Sequence, residues 1–254
     1  MLDPMYGEYR HMLQRLHVTV AAVELDRAEG YRLDPARLLG DDRRLVILVN
    51  PNSPTGAHAP RAELEPVVRE LARQSVVWID ETYIEYAGAG ESLEAVAAAD
   101  PNIIVCKSMS KVYALSGLRV AYLVSHPDRI AELEASRPPW AVSLPGQICG
   151  ALALGEPDYY RRMVCETAAL RRRLATDLQS LGLDVTEGAI NCVLVHLPAD
   201  APTAAEVCRA CEAEGVYLRD AGSMGGTMGS RTLRIAVRSA GENRRVVEAV
   251  GRQV

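Results

Sequence analysis

The chain is predicted to fold as an α/β protein, with a large domain on a mostly parallel sheet and a smaller C-terminal α/β domain. Three observations carry that prediction. Short β-branched runs alternate with helical stretches from Met1 to about His126. Two of these runs, LVILVN (45–50) and VVWID (76–80), are apolar almost without interruption, which suits strands covered on both faces. A proline-rich break, SRPPWAVSLPG (136–146), then separates this region from a second series of strands and helices. The division is therefore placed at 135/136. Residues 1–135 form the large domain, and residues 136–254 an interdomain helix and the small domain.

In chain order, HVTVAAVEL (17–25) is the first strand candidate, followed by 45–50 and 76–80. Between the last two, APRAELEPVVRELARQ (59–74) has apolar residues at helical spacing, with Pro60 in its first turn. NIIVC (102–106) and RVAYLV (119–124) complete the first sheet, and right-handed crossovers are expected. Beyond the break, 146–181 is expected to be helical, with Arg161, Arg162, Arg171, Arg172 and Arg173 on a solvated face. A strand (190–197), a helix (203–214), a strand (216–219), a Gly-rich loop (221–230), a strand (232–238) and a last helix follow. Thr203 with Glu206, and Ser239 with Glu242, stand at capping-box spacing for the two helices.

Composition excludes several function classes. A net charge of −5 over 254 residues offers nothing to nucleic acid or to an anionic membrane. No apolar run reaches membrane-spanning length, and no basic-then-apolar leader opens the chain. The six cysteines show no disulfide framework, so a reducing cytoplasm is expected. Cys208 and Cys211 form a CxxC, but without a second Cys or His pair nearby they are assigned to a buried helical face and no metal is expected.

The chemistry gathers where strands end. Asn50–Gly56 follows the 45–50 strand, Asp80–Tyr83 closes the next, and Lys107–Lys111 follows the third. Open α/β sheets bind ligands outside the carboxyl ends of their strands. Lys107 and Lys111 are the only lysines among 28 basic residues. An amine can shed its proton and condense with a carbonyl, whereas a guanidinium cannot.

Five motifs stand in order along the whole chain: NPNSPTG (50–56), DETYIEY (80–86), SMSKVYALSGLRVAY (108–122), GVYLRD (215–220) and RTLRIAV (231–237). This set resembles the fold-type-I pyridoxal 5′-phosphate enzymes of the class I/II aminotransferase group. Within that group it is most similar to histidinol-phosphate aminotransferase and threonine-phosphate decarboxylase. The resemblance implies a PLP-transferase-like large domain and PLP as cofactor, joined to Lys111 as a Schiff base. It implies Asp80 on the pyridine nitrogen, with Tyr83 and Ser53 at the ring's phenolate oxygen and Tyr6 stacked on the ring. Ser108, Ser110 and Arg119 would hold the phosphate, and Arg219 and Arg234 the anionic group of the substrate. Lys111, Asp80 and Tyr83 are the implied catalytic set. The implied reaction is amino transfer between an amino acid or phosphorylated amine and a 2-oxo acid, by a homodimer.

Two departures from the family's pattern are visible. Ser53 stands where the family has Asn before PTG. The chain also starts only a few residues before Tyr6, so the family's N-terminal arm and Gly-rich phosphate loop are expected to lie outside it. A decarboxylase, an oxidising enzyme on the same scaffold and an inactive truncated homologue stay open as alternatives.

Overall fold

The computed structural model describes residues 1–40, 43–88 and 90–254. Strand β1 (Leu2–Asp3), helix α1 (Gly7–Arg15) and β2 (Val23–Glu24) open the chain. Then come β3 (Leu45–Val49), α2 (Arg61–Leu71), β4 (Val76–Asp80), α3 (Glu94–Ala97), β5 (Ile103–Ser108) and β6 (Ala121–Val124). Helices α4 (Pro127–Ser136), α5 (Leu144–Leu154) and α6 (Pro157–Gln179) follow. The chain closes with β7 (Asp184–Glu187), β8 (Cys192–His196), α7 (Ala204–Ala213), β9 (Arg219–Asp220), β10 (Thr232–Ala236) and α8 (Ala240–Gly251). No described helix is long and apolar enough to cross a membrane.

The chain divides into two compact units. One comprises Met1 with residues 33–51 and 58–164; the other comprises residues 2–32, 52–57 and 165–254.

The first unit is built on a four-stranded sheet in the order β3-β4-β5-β6. β3, β4 and β5 run parallel, with Val49 opposite Asp80 and Asp80 opposite Cys106. β6 runs antiparallel to β5, with Ser108 opposite Ala121. The mostly parallel sheet is thus present, and its apolar strands are buried: Val46, Leu48, Val77, Ile79, Ile103 and Val105 are almost wholly excluded from solvent. Helix α2 forms because Leu64, Val68 and Leu71 recur on one face, which is buried. Pro60 caps this helix rather than lying within its first turn. On its outer face Glu65 accepts from both Arg61 and Arg69, at 3.0 and 2.8 Å.

The second unit holds an antiparallel sheet in the order β7-β8-β10-β9. Its core is formed by Leu174 and Leu178 of α6, Val193 and Val195 of β8, Val207 and Cys211 of α7, and Leu233 and Ile235 of β10. Cys211 is accordingly a core residue. Both expected capping boxes form, at Thr203/Glu206 and Ser239/Glu242. A small parallel pair, β1 with β2, belongs to the same unit. Gly56 and Gly188 touch here backbone to backbone. A Cβ on Gly188 would fall 2.4 Å from the Gly56 carbonyl oxygen, which accepts from Ala189 N–H at 2.7 Å. Gly56 also has a left-handed φ of +73°.

Four expectations need correction. Of 17–25, only Val23–Glu24 is strand, because β1 offers a two-residue partner and residues 16–18 instead close α1, with Val18 N–H on Leu13 O. The 146–181 helix is two helices, α5 and α6, since Pro157 has no N–H to continue the first. Arg171 is buried rather than solvated: it donates to Ile190 O at 2.8 Å and to Glu187 at 3.1 Å. Of the strand expected at 216–219 only Arg219 is strand, with Asp220 beyond it, because β9 is in register with β10 over just those two residues.

Candidate active site

In the first unit, register brings three strand ends to one edge of the sheet. The ladder continues past the strands: Asn50 N–H donates to Asp80 O at 2.9 Å, and Glu81 N–H to Cys106 O at 2.8 Å. Asn50 also clasps the returning loop, donating to Ala59 O and accepting from Ala59 N–H, both at 2.9 Å. Asp80 is buried at 8% exposure, and its carboxylate is fixed by Thr82. Oδ1 accepts from the Thr82 N–H at 2.9 Å and from the Thr82 hydroxyl at 2.5 Å. The same hydroxyl oxygen accepts from Ser108 N–H at 3.4 Å. Ser108 in turn shares a hydrogen bond with Ser110, their hydroxyls 2.9 Å apart. Asp80, Thr82, Ser108 and Ser110 therefore form one connected chain.

Lys111 lies one residue beyond Ser110 and is exposed. Arg119 is exposed in a left-handed conformation, φ +53°, and donates to Ser116 O at 3.0 Å. Tyr83 is buried beside Tyr86, their ring centres 6.4 Å apart. Burial, reinforced by the charge of Asp80, pushes the Cys106 thiol up to about 12, so it stays protonated.

Strand alternation separates the two lysines. Successive residues of a strand point to opposite faces, so Lys107 leaves β5 on the side away from Ser108. Lys107 is buried among Glu94 at 3.2 Å, Glu85 at 3.4 Å and Glu81 at 3.8 Å. Tyr113 donates to Glu85 at 3.4 Å, and Tyr122 to Glu94 at 3.0 Å. Burial raises Glu81 above the usual carboxylate range. This cluster escaped the sequence reading, because Glu85, Glu94 and Lys107 are brought together only by strand pairing and a helix. Thr82 escaped it too, although a Thr two residues after a strand-end Asp is a recognisable side-chain turn.

The second unit carries the other four residues named by the resemblance. Tyr6 stands at the N-terminus of α1, 46% exposed, with Tyr9 edge-on at 6.0 Å. Ser53 is buried in the 52–57 turn. Asn52 ties that turn to the segment before Tyr6, donating to Pro4 O at 3.0 Å and to Thr55 Oγ1 at 2.9 Å. Arg219 and Arg234 are direct cross-strand partners on β9 and β10. Leu233 and Ile235 point into the core, so the two arginines share the opposite face.

Fold and strand-end chemistry together define a class: the PLP-transferase fold, a mostly parallel sheet with an antiparallel edge strand and polar strand ends. A family model for aminotransferase class I and II matches residues 1–250. The chain belongs to that family. The histidinol-phosphate aminotransferase 1 of Cupriavidus pinatubonensis is 33% identical over 235 residues, 91% of this chain and 62% of the relative. The chain thus spans about three fifths of the length of the curated relatives it matches. Among solved structures, the histidinol-phosphate aminotransferase of Clostridium acetobutylicum superposes with a TM-score of 0.88 at 20% identity, over 98% of this chain and 75% of that one. The L-threonine-O-3-phosphate decarboxylase of Porphyromonas gingivalis gives 0.85 at 21%, over 98% and 74%. The Sinorhizobium meliloti histidinol-phosphate aminotransferase, solved with pyridoxal 5′-phosphate, gives 0.84 at 22%, over 99% and 68%.

Proposed function

We propose that this chain carries the cofactor- and substrate-holding side chains of a PLP-dependent aminotransferase acting on an amino acid or phosphorylated amine. The observation that carries this reading is the connected chain Asp80–Thr82–Ser108–Ser110 at the strand ends, with Lys111 in the next turn. A fixed buried carboxylate, paired hydroxyls, an accessible amine and a nearby guanidinium are the donor set that a protonated pyridine, a phosphate dianion and an aldehyde require. The residues present fit the group.

When bound, the cofactor supplies an aldehyde that condenses with amines and a ring that takes up charge from a carbon losing a proton. Asp80 holds the proton on the ring nitrogen, and Thr82 keeps that carboxylate from turning away. Tyr83 and Ser53 address the ring's phenolate oxygen, and Tyr6 offers its ring face. Ser108, Ser110 and Arg119 bind the phosphate. Lys111 would be the amine that holds the cofactor's aldehyde and the base that carries the proton at the substrate's Cα. Arg219 and Arg234 receive the carboxylate or phosphate of the substrate, and a 2-oxo acid accepts the amino group. A homodimer in the cytoplasm is part of this reading.

Addition of PLP is expected to give a yellow protein, and borohydride to fix the cofactor's mass on the peptide bearing Lys111. A colourless protein that gains no cofactor mass overturns the reading. Amino acids supplied with a 2-oxo acid should then yield a new oxo acid; carbon dioxide without amino transfer would replace the aminotransferase by a decarboxylase.

A further inference from the structure

A cavity of about 210 Å³ lies wholly within the first unit and is lined by none of the residues assigned to the proposed cofactor or substrate site. Its walls are the rings of Tyr113 and Tyr160, centres 4.8 Å apart, with Val112, Ala153 and Leu154 supplying apolar surface. Its one acidic wall residue is Glu85. Glu85 belongs to the cluster in which buried Lys107 faces three carboxylates, buried Glu81 and the part-exposed Glu85 and Glu94.

The charge of that cluster does not close. With every carboxylate ionised, one ammonium faces three negative charges. With Glu81 protonated, as its burial favours, one negative charge still remains. Tyr113 and Tyr122 do not alter this sum, since burial and the adjacent carboxylates raise both phenols, which stay neutral donors. Arg161 at the rim is paired with Asp158 at 2.7 Å, and both side chains stand largely in solvent, where their field is screened. Among the described residues no group of His, Cys, Asp and Glu is arranged to hold a metal ion. What the cavity offers is the Glu85 carboxylate, two tyrosine rings packed edge to face and an apolar lining, which together suit an organic cation rather than a hydrated inorganic one.

We propose that this cavity is a binding site for a small alkylammonium ion, its charged head toward Glu85 and its carbon atoms against Tyr113, Tyr160 and Leu154.

The test uses choline chloride and its neutral isostere 3,3-dimethylbutan-1-ol. A quaternary ammonium cannot condense with an aldehyde, so the outcome is independent of the cofactor reading. Titration followed by amide and methyl NMR should show choline shifting Val112, Leu154 and Val164, with the neutral isostere binding at least roughly tenfold more weakly. Glu85→Gln should weaken choline by roughly tenfold and leave the isostere unchanged. Tyr160→Leu, at a partly exposed position, should weaken choline as well and serves as the second probe where Glu85→Gln disturbs folding. Equal binding of the two compounds, shifts confined to other surfaces, or no saturation by choline each overturns the proposal.

Discussion

The Thr82 hydroxyl donates to the Asp80 carboxylate at 2.5 Å while its oxygen accepts the Ser108 N–H at 3.4 Å. One small side chain thereby couples the two ends of the proposed cofactor site. Thr82→Val keeps the shape and removes both bonds. Loss of a hydrogen bond to a charged group costs about 1.5–3 kcal/mol, so PLP affinity is expected to fall by roughly tenfold or more, with Thr82→Ser restoring it. Fluorescence titration with PLP measures this, and unchanged affinity in the valine variant would mean that Asp80 is held by other groups.

The two lysines should behave oppositely. Lys111 is exposed, so Lys111→Arg is expected to leave thermal unfolding unchanged and to abolish the borohydride adduct. Lys107→Met strands three carboxylates around an apolar side chain. Breaking a buried pair costs about 3–5 kcal/mol, so this variant should melt well below the parent while any folded fraction still forms the adduct. An adduct that survives in Lys111→Arg assigns the chemistry to the wrong amine.

Arg219 and Arg234 are register partners on one face of β9 and β10, so one anionic group of a substrate could engage both. Arg234→Ala should raise KM for an anionic substrate by roughly ten- to a hundredfold, the value of one charge-assisted interaction. Cofactor affinity should change by less than about threefold. Parallel loss of both would make Arg234 a structural residue.

His196 provides a pH signature in the second unit. Its imidazole is buried, with Thr232 Oγ1 at 3.2 Å and Thr186 Oγ1 at 3.3 Å. Burial, helped by the positive charge of Arg27, holds it down at about 4. The unfolded chain takes up this proton near pH 6.5 and the folded chain does not until about pH 4. Stability contributed here is therefore complete above pH 6.5 and is lost as pH falls toward 4, by about 3 kcal/mol in all. Urea midpoints across that window should slope steeply for the parent and less for His196→Leu. Identical slopes would assign the acid sensitivity elsewhere.

What could be read from the sequence was what depends on local pattern. The strand end at Asp80 follows from an apolar run bounded by polar residues, and the capping boxes at Thr203 and Ser239 follow from fixed spacings, whereas β5 runs two residues past its expected end at Cys106 because Lys107 and Ser108 pair with β6. What could not be read depends on partners remote in the chain. Arg171 sits in an arginine-rich helix, and only the carbonyl of Ile190 and the carboxylate of Glu187 show that it turns inward. The run 17–25 has strand composition, yet strand length is set by the neighbour, and β1 is two residues long. Lys107 is four residues from Lys111 and indistinguishable from it in composition; β5–β6 pairing and α3 make one a buried counter-ion.

The backbone contact between Gly56 and Gly188 has a consequence for how this chain can change over generations. Neither codon can drift alone, because a methyl group on either residue meets the other's main chain, and shrinking the opposite side is impossible when it is already hydrogen. A library randomised at both positions should return glycine twice while Ala57 next door diversifies. The pair is thus a steric lock set by atomic radii, independent of any demand of catalysis.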